Sequence, residues 1–127
     1  TGTGALILLD ESADPTSVEA VRASMGAFFT VPCVQATTAD FLAWKARHGA
    51  VLTGAALDPL AVDYRAASYA PPALLLVGNE AQGLPEALMT ACDQLVIMPM
   101  RGRADSLNVA MAGTLLLYET LHWQEAR

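Results

Sequence analysis

Short apolar runs closed by turn residues constrain the fold of this 127-residue chain more than any other feature of its sequence. The run at residues 74–77 does not alternate with polar residues, and it ends at Gly78. A second run, residues 94–98, ends at Pro99. Unalternated runs of this length are typical of strands buried on both faces of a parallel sheet. The sequence therefore predicts an α/β fold, with a parallel sheet and helices on both of its faces.

Strand-like and helix-like patterns alternate along the rest of the chain, as expected for a parallel sheet. Further strands are predicted at residues 5–9, 31–35 and 50–53. Helices are predicted at 18–29, from 37 to the end signal at Gly49, and from Ser106 or Asn108 to His122 or Trp123. The first helix is expected to bury a stripe formed by Val21, Met25, Phe28 and Phe29. Residues 57–72 are predicted to form an irregular connection.

Composition favours one globular domain and argues against a generally basic nucleic-acid surface. The chain is 54% hydrophobic, with a net charge of -6 and a sequence pI near 4.6. Four arginines are candidates to contact phosphate, although scattered arginines are more often only solvated: Arg22, Arg65, Arg101 and Arg103. Tyr64 and Tyr69 are candidates to stack on a base, or else they cover the edge of the core.

Cysteine, histidine and hydropathy patterns favour a cytoplasmic protein without a metal site. Cys33 and Cys92 lie among apolar residues and lack a metal-type spacing, so they are interpreted as reduced core thiols. His48 and His122 are far apart in the sequence, which argues against zinc. No apolar run reaches the roughly 18 residues that a membrane-spanning helix needs.

Three loops are predicted to meet at one edge of the sheet, because the carboxyl ends of parallel strands lie together. They follow the strands ending near residues 53, 77 and 98. Glycines at positions 78 and 83 would let backbone N–H and C=O groups approach a ligand closely. A ligand-binding site is therefore expected at this edge.

Two of these loops carry long motifs that resemble a known family. LLLVGNEAQGL is similar to the second motif, and IMPMRGRADSLNVAMAGTLLLYE to the third motif, of the SpoU (TrmH) family of RNA 2′-O-ribose methyltransferases. ADPTSVEAVRASMGAFFTVP resembles the segment that precedes them in that family. The resemblance covers most of residues 6–119. It implies a SPOUT-like fold with a deep trefoil knot near the carboxyl terminus, in which the last helix also packs against a second subunit.

The resemblance implies transfer of a methyl group from S-adenosylmethionine to a ribose 2′-hydroxyl of tRNA or rRNA. It assigns catalytic roles to Glu80, Ser106 and Asn108. The implied cofactor-binding residues are Thr53, Gly54, Ala55, Gly78, Asn79, Glu80, Gly83, Ile97, Pro99, Met100, Ser106, Leu107 and Asn108. No metal or membrane is implied. Each polar residue also has a simpler interpretation, because Ser106 or Asn108 could cap the final helix and Glu80 could be a turn carboxylate.

One part of the family pattern is missing from this sequence. Members have an opening DPxNxGxIxR motif, whose Asn and Arg belong to the catalytic site, and it should precede the strand at residues 5–9. Asp14-Pro15 does not substitute for it, since the spacing to the Asn, Gly and Arg positions fails. Residues 1–127 are therefore expected to be the carboxyl-terminal part of a longer methyltransferase domain, with little or no methyl-transfer activity alone.

Two alternatives to the methyltransferase remain open at the level of sequence. The chain could be a non-catalytic SPOUT-like module that binds cofactor or RNA, or that only dimerises. An unrelated α/β nucleotide-binding enzyme is disfavoured, because the sequence has neither a Walker-type lysine loop nor a glycine fingerprint between a strand and a helix.

Overall fold

The computed structural model of the protein describes residues 1–127 and has an α/β fold with parallel strands. The strands are β1 (Leu6–Leu9), β2 (Cys33–Ala36), β3 (Val51–Ala55), β4 (Val62–Asp63), β5 (Ala73–Leu76) and β6 (Gln94–Ile97). The α-helices are α1 (Val18–Ala23), α2 (Thr38–His48), α3 (Glu86–Ala91) and α4 (Val109–Glu125). Two short 3-10 helices cover Ala27–Phe29 and Tyr64–Ala66. The predicted α/β class is confirmed.

The strands form two sheets instead of the single sheet that the sequence predicted. The chain divides into two compact units, one formed by residues 2–47 and the other by residues 48–127 with Thr1. In the first unit, β1 pairs with β2 in parallel and neither strand has another neighbour. The Thr38 hydroxyl and backbone N–H donate to the Asp10 carboxylate and lower its pKa, which joins the end of β1 to the start of α2.

The predicted helix at residues 18–29 is interrupted, and part of its expected buried stripe is wrong. α1 ends at Ala23 because Met25 and Gly26 adopt positive φ angles of 52° and 90°, which a right-handed helix cannot contain. Met25 is 92% exposed and Phe29 is 77% exposed. Only Val21 and Phe28 of the predicted stripe are half-buried. Periodicity alone did not detect the turn that separates α1 from the following 3-10 helix.

The second unit contains a four-stranded parallel sheet in the order β4-β6-β3-β5. β3 is an interior strand with β5 and β6 on either side, and its residues 52–54 are buried. The buried Thr53 hydroxyl accepts a hydrogen bond of 2.7 Å from the Gln94 side-chain amide, so this polar group is satisfied inside the core. β4 lies in the stretch that the sequence predicted to be irregular. The sequence did not reveal this strand, because two residues are too few to show a periodic pattern.

Helix α4 covers the sheet with one face and exposes another apolar face. Leu116 is fully buried and packs with Ala67, Tyr69 and Val96 in the core. On a different face, Met111, Leu115 and Tyr118 are 62%, 40% and 61% exposed. The predicted helix is confirmed, although it begins at Val109 and extends to Glu125. None of the helices combines the length and apolar character needed to span a bilayer.

Tyr69 is a core residue, which excludes stacking on a base and agrees with the alternative that it covers the core. Its side chain is fully buried, and its hydroxyl donates to the Tyr64 carbonyl at 2.7 Å. Burial raises the pKa of Tyr69 to about 12, because the phenolate would lose its hydration. Tyr64 is half-buried beside this core and keeps part of its surface accessible.

Candidate functional site

A cavity of about 360 Å³ lies where β3, β5 and β6 end, as expected for a ligand site in a parallel sheet. We name it cavity 1. Its walls come from the loops after these three strands, from Met89 of α3 and from the first turn of α4. The lining residues are Ala55, Ala56, Leu57, Val77, Gly78, Asn79, Glu80, Ala81, Gln82, Gly83, Leu84, Met89, Val96, Ile97, Met98, Asp105, Ser106, Leu107, Val109 and Ala112.

The loop after β5 is a closed turn that depends on two glycines. Gly83 donates from its N–H to the Asn79 carbonyl at 2.7 Å, and its φ of +67° favours glycine. The Asn79 side-chain oxygen accepts from the Ala81 N–H at 2.7 Å. A Cβ at Gly78 would lie 2.4 Å from the Gly83 carbonyl carbon, so no larger residue fits there. These hydrogen bonds and the close approach of Gly78 to Gly83 define the shape of the loop.

Glu80 connects this loop to the start of α4. Its Oε1 accepts hydrogen bonds from the Asn108 side-chain amide at 3.0 Å and from the Val109 N–H at 3.3 Å. The Asn108 Oδ1 accepts from the Ala110 N–H at 2.9 Å and thereby caps the helix. A carboxylate beside a helix amino terminus is also favoured by the helix dipole. Glu80 and Asn108 thus join two walls of cavity 1.

Eight of the predicted site residues line cavity 1. They are Ala55, Gly78, Asn79, Glu80, Gly83, Ile97, Ser106 and Leu107. Ser106 is exposed and comes before the cap of α4, so the capping role is taken by Asn108 instead. The structure therefore brings together both family-like motifs at the predicted edge of the sheet.

Five predicted residues do not line cavity 1, each for a definite structural reason. Thr53 and Gly54 lie inside β3, where Thr53 bonds to Gln94. A Cβ at Gly54 would lie 2.7 Å from the Cys92 sulfur, so Gly54 is needed for close packing of the core. Asn108 turns towards Glu80 and the helix backbone.

The remaining two, Pro99 and Met100, line a second cavity of about 230 Å³, which we name cavity 2. Tyr64, Arg65, Met98, Arg101, Leu107 and Leu115 complete its lining.

Twelve lining residues were absent from the sequence prediction. They are Ala56, Leu57, Val77, Ala81, Gln82, Leu84, Met89, Val96, Met98, Asp105, Val109 and Ala112. The residues next to strand ends, such as Val77 and Met98, could have been found by extending each predicted loop by one or two positions. Met89 and Ala112 could not, because they reach the cavity from helices whose placement depends on tertiary packing.

The volume and lining of cavity 1 fit a nucleoside-sized ligand. Ligand pockets typically occupy about 300–1,000 Å³ and combine apolar walls with a few polar groups. Here the apolar walls include Leu84, Val96 and Ile97, and the loops contribute backbone N–H and C=O groups. The chain contains no group of three or more His, Cys, Asp or Glu side chains placed to hold a metal ion. The polar side chains that line the cavity include those of Ser106, Asp105 and Glu80.

Comparison with known proteins places this fold and site in a family. The sequence matches the SpoU rRNA Methylase family over residues 1–118. A 23S rRNA (uridine(2479)-2'-O)-methyltransferase of Streptomyces viridochromogenes is 38% identical over 128 aligned residues, covering 94% of this chain and 44% of that protein. The 23S rRNA (guanosine(2553)-2'-O)-methyltransferase RlmP of Bacillus subtilis is 32% identical over 117 residues, covering 92% of this chain and 47% of that protein.

Solved structures show the same relationship. The AdoMet-bound rRNA methyltransferase from Sinorhizobium meliloti matches with a TM-score of 0.91 and 41% identity, covering 95% of this chain and 46% of that chain. The SpoU methyltransferase AviRb from Streptomyces viridochromogenes, in complex with AdoMet, matches with a TM-score of 0.89 and 34% identity, covering 99% of this chain and 52% of that chain.

A parallel sheet with a glycine-lined cavity at its carboxyl edge is the arrangement of α/β proteins whose ligands lie beyond the strand ends. Within that class, the chain belongs to the SpoU rRNA methylase family. The predicted resemblance is therefore confirmed. The chain spans about half the length of the relatives that it matches.

Proposed function

We propose that the chain is the cofactor-binding part of an S-adenosylmethionine-dependent RNA 2′-O-methyltransferase, with cavity 1 as the cofactor site. The observation that carries the proposal is that the two family-like motifs, separated by residues 85–96, form one cavity at the carboxyl edge of the sheet. The names of the relatives, 23S rRNA and tRNA 2′-O-methyltransferases, support the reaction. Two solved family members are described as bound to AdoMet, which supports the cofactor.

Backbone groups of the two loops would hold the nucleoside part of the cofactor. Gly78 and Gly83 keep the first loop tight, and Ile97, Met98 and residues 105–107 supply the opposite wall. When bound, S-adenosylmethionine would supply the methyl group of its sulfonium to the ribose 2′ oxygen, with S-adenosylhomocysteine as the leaving group and the hydroxyl proton passing to solvent. The main task of the protein is to align the two reactants, and alignment alone can lower such a barrier by several kcal/mol, roughly 7–11 in the best cases.

The three residues with implied catalytic roles divide into two kinds. Ser106 lines cavity 1 with an exposed side chain, so we assign it a direct contact with cofactor or RNA. Glu80 bonds to Asn108 and to the first helical N–H, which favours a positioning role for this pair. In this arrangement Glu80 and Asn108 hold the cofactor loop against α4 and fix where Ser106 lies.

The family membership also leads us to propose a deep trefoil knot that includes the motif loops, and a homodimer. The dimer is supported by the apolar face of α4, because Met111, Leu115 and Tyr118 lie at i, i+4 and i+7 and remain exposed. A single helix face of this kind is typical of a surface that pairs with another protein. We therefore expect α4 to contribute to the subunit contact.

Sedimentation equilibrium tests the dimer with two matched variants. Leu115→Arg places a charge on the exposed face of α4, whereas Leu60→Arg changes a leucine that is 83% exposed outside it. We expect the unmodified chain and Leu60→Arg to sediment as dimers, and Leu115→Arg to sediment at the monomer mass of 13.3 kDa. A monomeric unmodified chain at tens of micromolar would contradict the dimer.

Calorimetric titration with S-adenosylhomocysteine tests the cofactor site. We expect saturable binding by the chain and much weaker binding by Gly78→Ala, whose new Cβ would collide with the loop backbone. Gly102→Ala is the control, since a Cβ there meets nothing within 4 Å. Absence of binding by the folded, unmodified chain at millimolar ligand would refute the proposed cofactor site.

The relatives act on different RNAs and different nucleotides, so the family leaves the substrate open. Their names specify uridine or guanosine in 23S rRNA and guanosine 18 in tRNA. We propose RNA as the substrate class. A methyl-transfer assay with tritiated S-adenosylmethionine, on bulk tRNA and rRNA separately, would show which class is methylated. Transfer to neither class by the whole enzyme would contradict the proposal.

A further inference from the structure

We infer that cavity 2 binds a phosphate of the RNA strand next to the nucleotide being methylated, through Arg65 and Arg101. This inference rests on the proposed function. Cavity 2 has a volume of about 230 Å³, and both arginines belong to its lining. It is separate from the proposed cofactor site, and all its residues lie in the unit formed by residues 48–127.

The position of cavity 2 is the first argument. Met98 and Leu107 line both cavities, so the two spaces are separated only by shared side chains. The second substrate of a methyl transfer must reach the cofactor from a neighbouring space, because in-line transfer requires contact between the reacting atoms. Cavity 2 is such a neighbouring space. Met98 and Leu107, which separate the two cavities, belong to the segment between β6 and α4 that also lines cavity 1.

The charges of cavity 2 are the second argument. The whole chain has a net charge of -6 and only seven Lys and Arg residues. Two of them line this one cavity, and Arg103 follows two positions after Arg101 on the same loop. No hydrogen bond or ion pair engages Arg101 or Arg103, so their guanidinium groups are available to an anion. The guanidinium of Arg101, which has no acidic partner, therefore offers a positive charge to a phosphate of the strand.

Arg65 is held in a fixed orientation by its neighbours. Its Nε and Nη2 donate to the Asp63 carboxylate at 3.0 and 2.6 Å, and its guanidinium lies 5.7 Å from the centre of the Tyr64 ring. The Arg65 hydrogen bond lowers the pKa of Asp63 to about 2, so the pair stays charged at neutral pH. Three of the five guanidinium N–H groups remain free for an oxyanion.

Two acidic side chains moderate this positive charge. Asp63 is paired with Arg65, and Glu119 of α4 also acts electrostatically on Arg65 and on Tyr69. Their presence limits how strongly cavity 2 attracts RNA as a whole. We therefore expect the two arginines to position one phosphate rather than to supply high affinity, while Tyr64 and Met100 give apolar surface for the attached nucleoside.

Binding of a fluorescein-labelled single-stranded RNA, measured by anisotropy with saturating S-adenosylhomocysteine at several salt concentrations, tests the inference. Arg101→Gln and Arg65→Gln should each weaken binding about tenfold, as expected for loss of a charge-assisted hydrogen bond. Each should also reduce the slope of log K against log salt by about 0.7, the value for one phosphate contact on a single strand. Arg65→Lys keeps the charge but loses the planar fork, and should weaken binding by a smaller factor.

Arg47→Gln is the matched control, because it removes the same charge from an exposed position on α2. It should leave both the affinity and the salt slope unchanged. Equal effects of Arg47→Gln and Arg101→Gln, or no RNA binding by the unmodified chain even at low salt, would overturn the inference. Calorimetry of each variant with S-adenosylhomocysteine separates the two proposals. If the cavity 2 variants bind both the cofactor and RNA as well as the unmodified chain does, only the proposed phosphate site is refuted. If the unmodified chain does not bind the cofactor, the proposed function is refuted.

Discussion

Replacing Gly78 by alanine should open the loop after β5, because the space that a Cβ needs is already filled by backbone. The new atom would lie 2.4 Å from the Gly83 carbonyl carbon, 2.6 Å from its oxygen and 2.7 Å from the Leu84 nitrogen. Side chains can relieve a close contact by rotating, but these atoms belong to the turn itself. Residues 78–84 must therefore separate to accept the methyl group.

The size of the effect follows from the nature of the obstacle. Adding a methyl group to a well-packed site typically costs about 1–3 kcal/mol, and a clash with backbone belongs at the upper end, so we expect about 3 kcal/mol. Small domains are stable by only about 5–15 kcal/mol, which makes this loss easy to detect. Binding of S-adenosylhomocysteine should weaken as well, since the displaced loop forms one wall of cavity 1.

Alanine substitutions at two other glycines distinguish the cost of a steric clash from the cost of a positive φ angle. Gly83→Ala meets nothing within 4 Å but must adopt a φ of +67°, so it should cost about 1 kcal/mol. Gly102→Ala has neither problem and should change stability by less than about 0.5 kcal/mol. Urea unfolding followed by circular dichroism measures all three. If Gly78→Ala is no less stable than Gly102→Ala, the close approach of Gly78 to Gly83 does not exist in solution.

Three further predictions concern other parts of the second unit. Asn108→Ala should cost about 1 kcal/mol of stability and weaken S-adenosylhomocysteine binding, whereas Asn108→Ser should recover the helix cap but not the bond to Glu80; equal cofactor affinities for both variants and the unmodified chain would argue against the positioning role. The Tyr69 pKa is raised from 10.0 to about 12, so unfolding free energy should fall as pH rises from about 10 to 12, and Tyr69→Phe but not Tyr118→Phe should reduce that fall. Gly113→Ala should raise the unfolding free energy by about 0.5–1 kcal/mol, because α4 has open space at this position; a loss of stability would show that the position is covered.

Motifs and apolar runs were enough to predict the fold class and the place of the site. The run at 74–77 became β5, shifted by one residue, and the run at 94–98 became β6. Gly49 ended α2 with a φ of 60°, as its position in the sequence indicated. These features are local, since the burial pattern of a strand and the backbone freedom of glycine are properties of a few neighbouring residues.

Residues whose environment depends on distant parts of the chain were predicted less well. The sequence left Tyr69 open between stacking on a base and covering the core edge, and the structure buries it fully beside Leu116 of α4. Gly54 looked like a loop glycine, yet its missing side chain makes room for the Cys92 sulfur. In both cases the partner lies about 40 or more residues away, so no local pattern reports the contact.

The sequence by itself therefore determined the family, the parallel strands and the loops that surround cavity 1. Only the tertiary structure decided how these loops use their residues. Glu80 and Asn108 are 28 positions apart, and their hydrogen bond of 3.0 Å joins two walls of one cavity. Motif similarity identifies the residues that must meet. The direction of each side chain, however, depends on the packing of α4 against the sheet. That packing is the result of many weak contacts between segments that are far apart in the sequence.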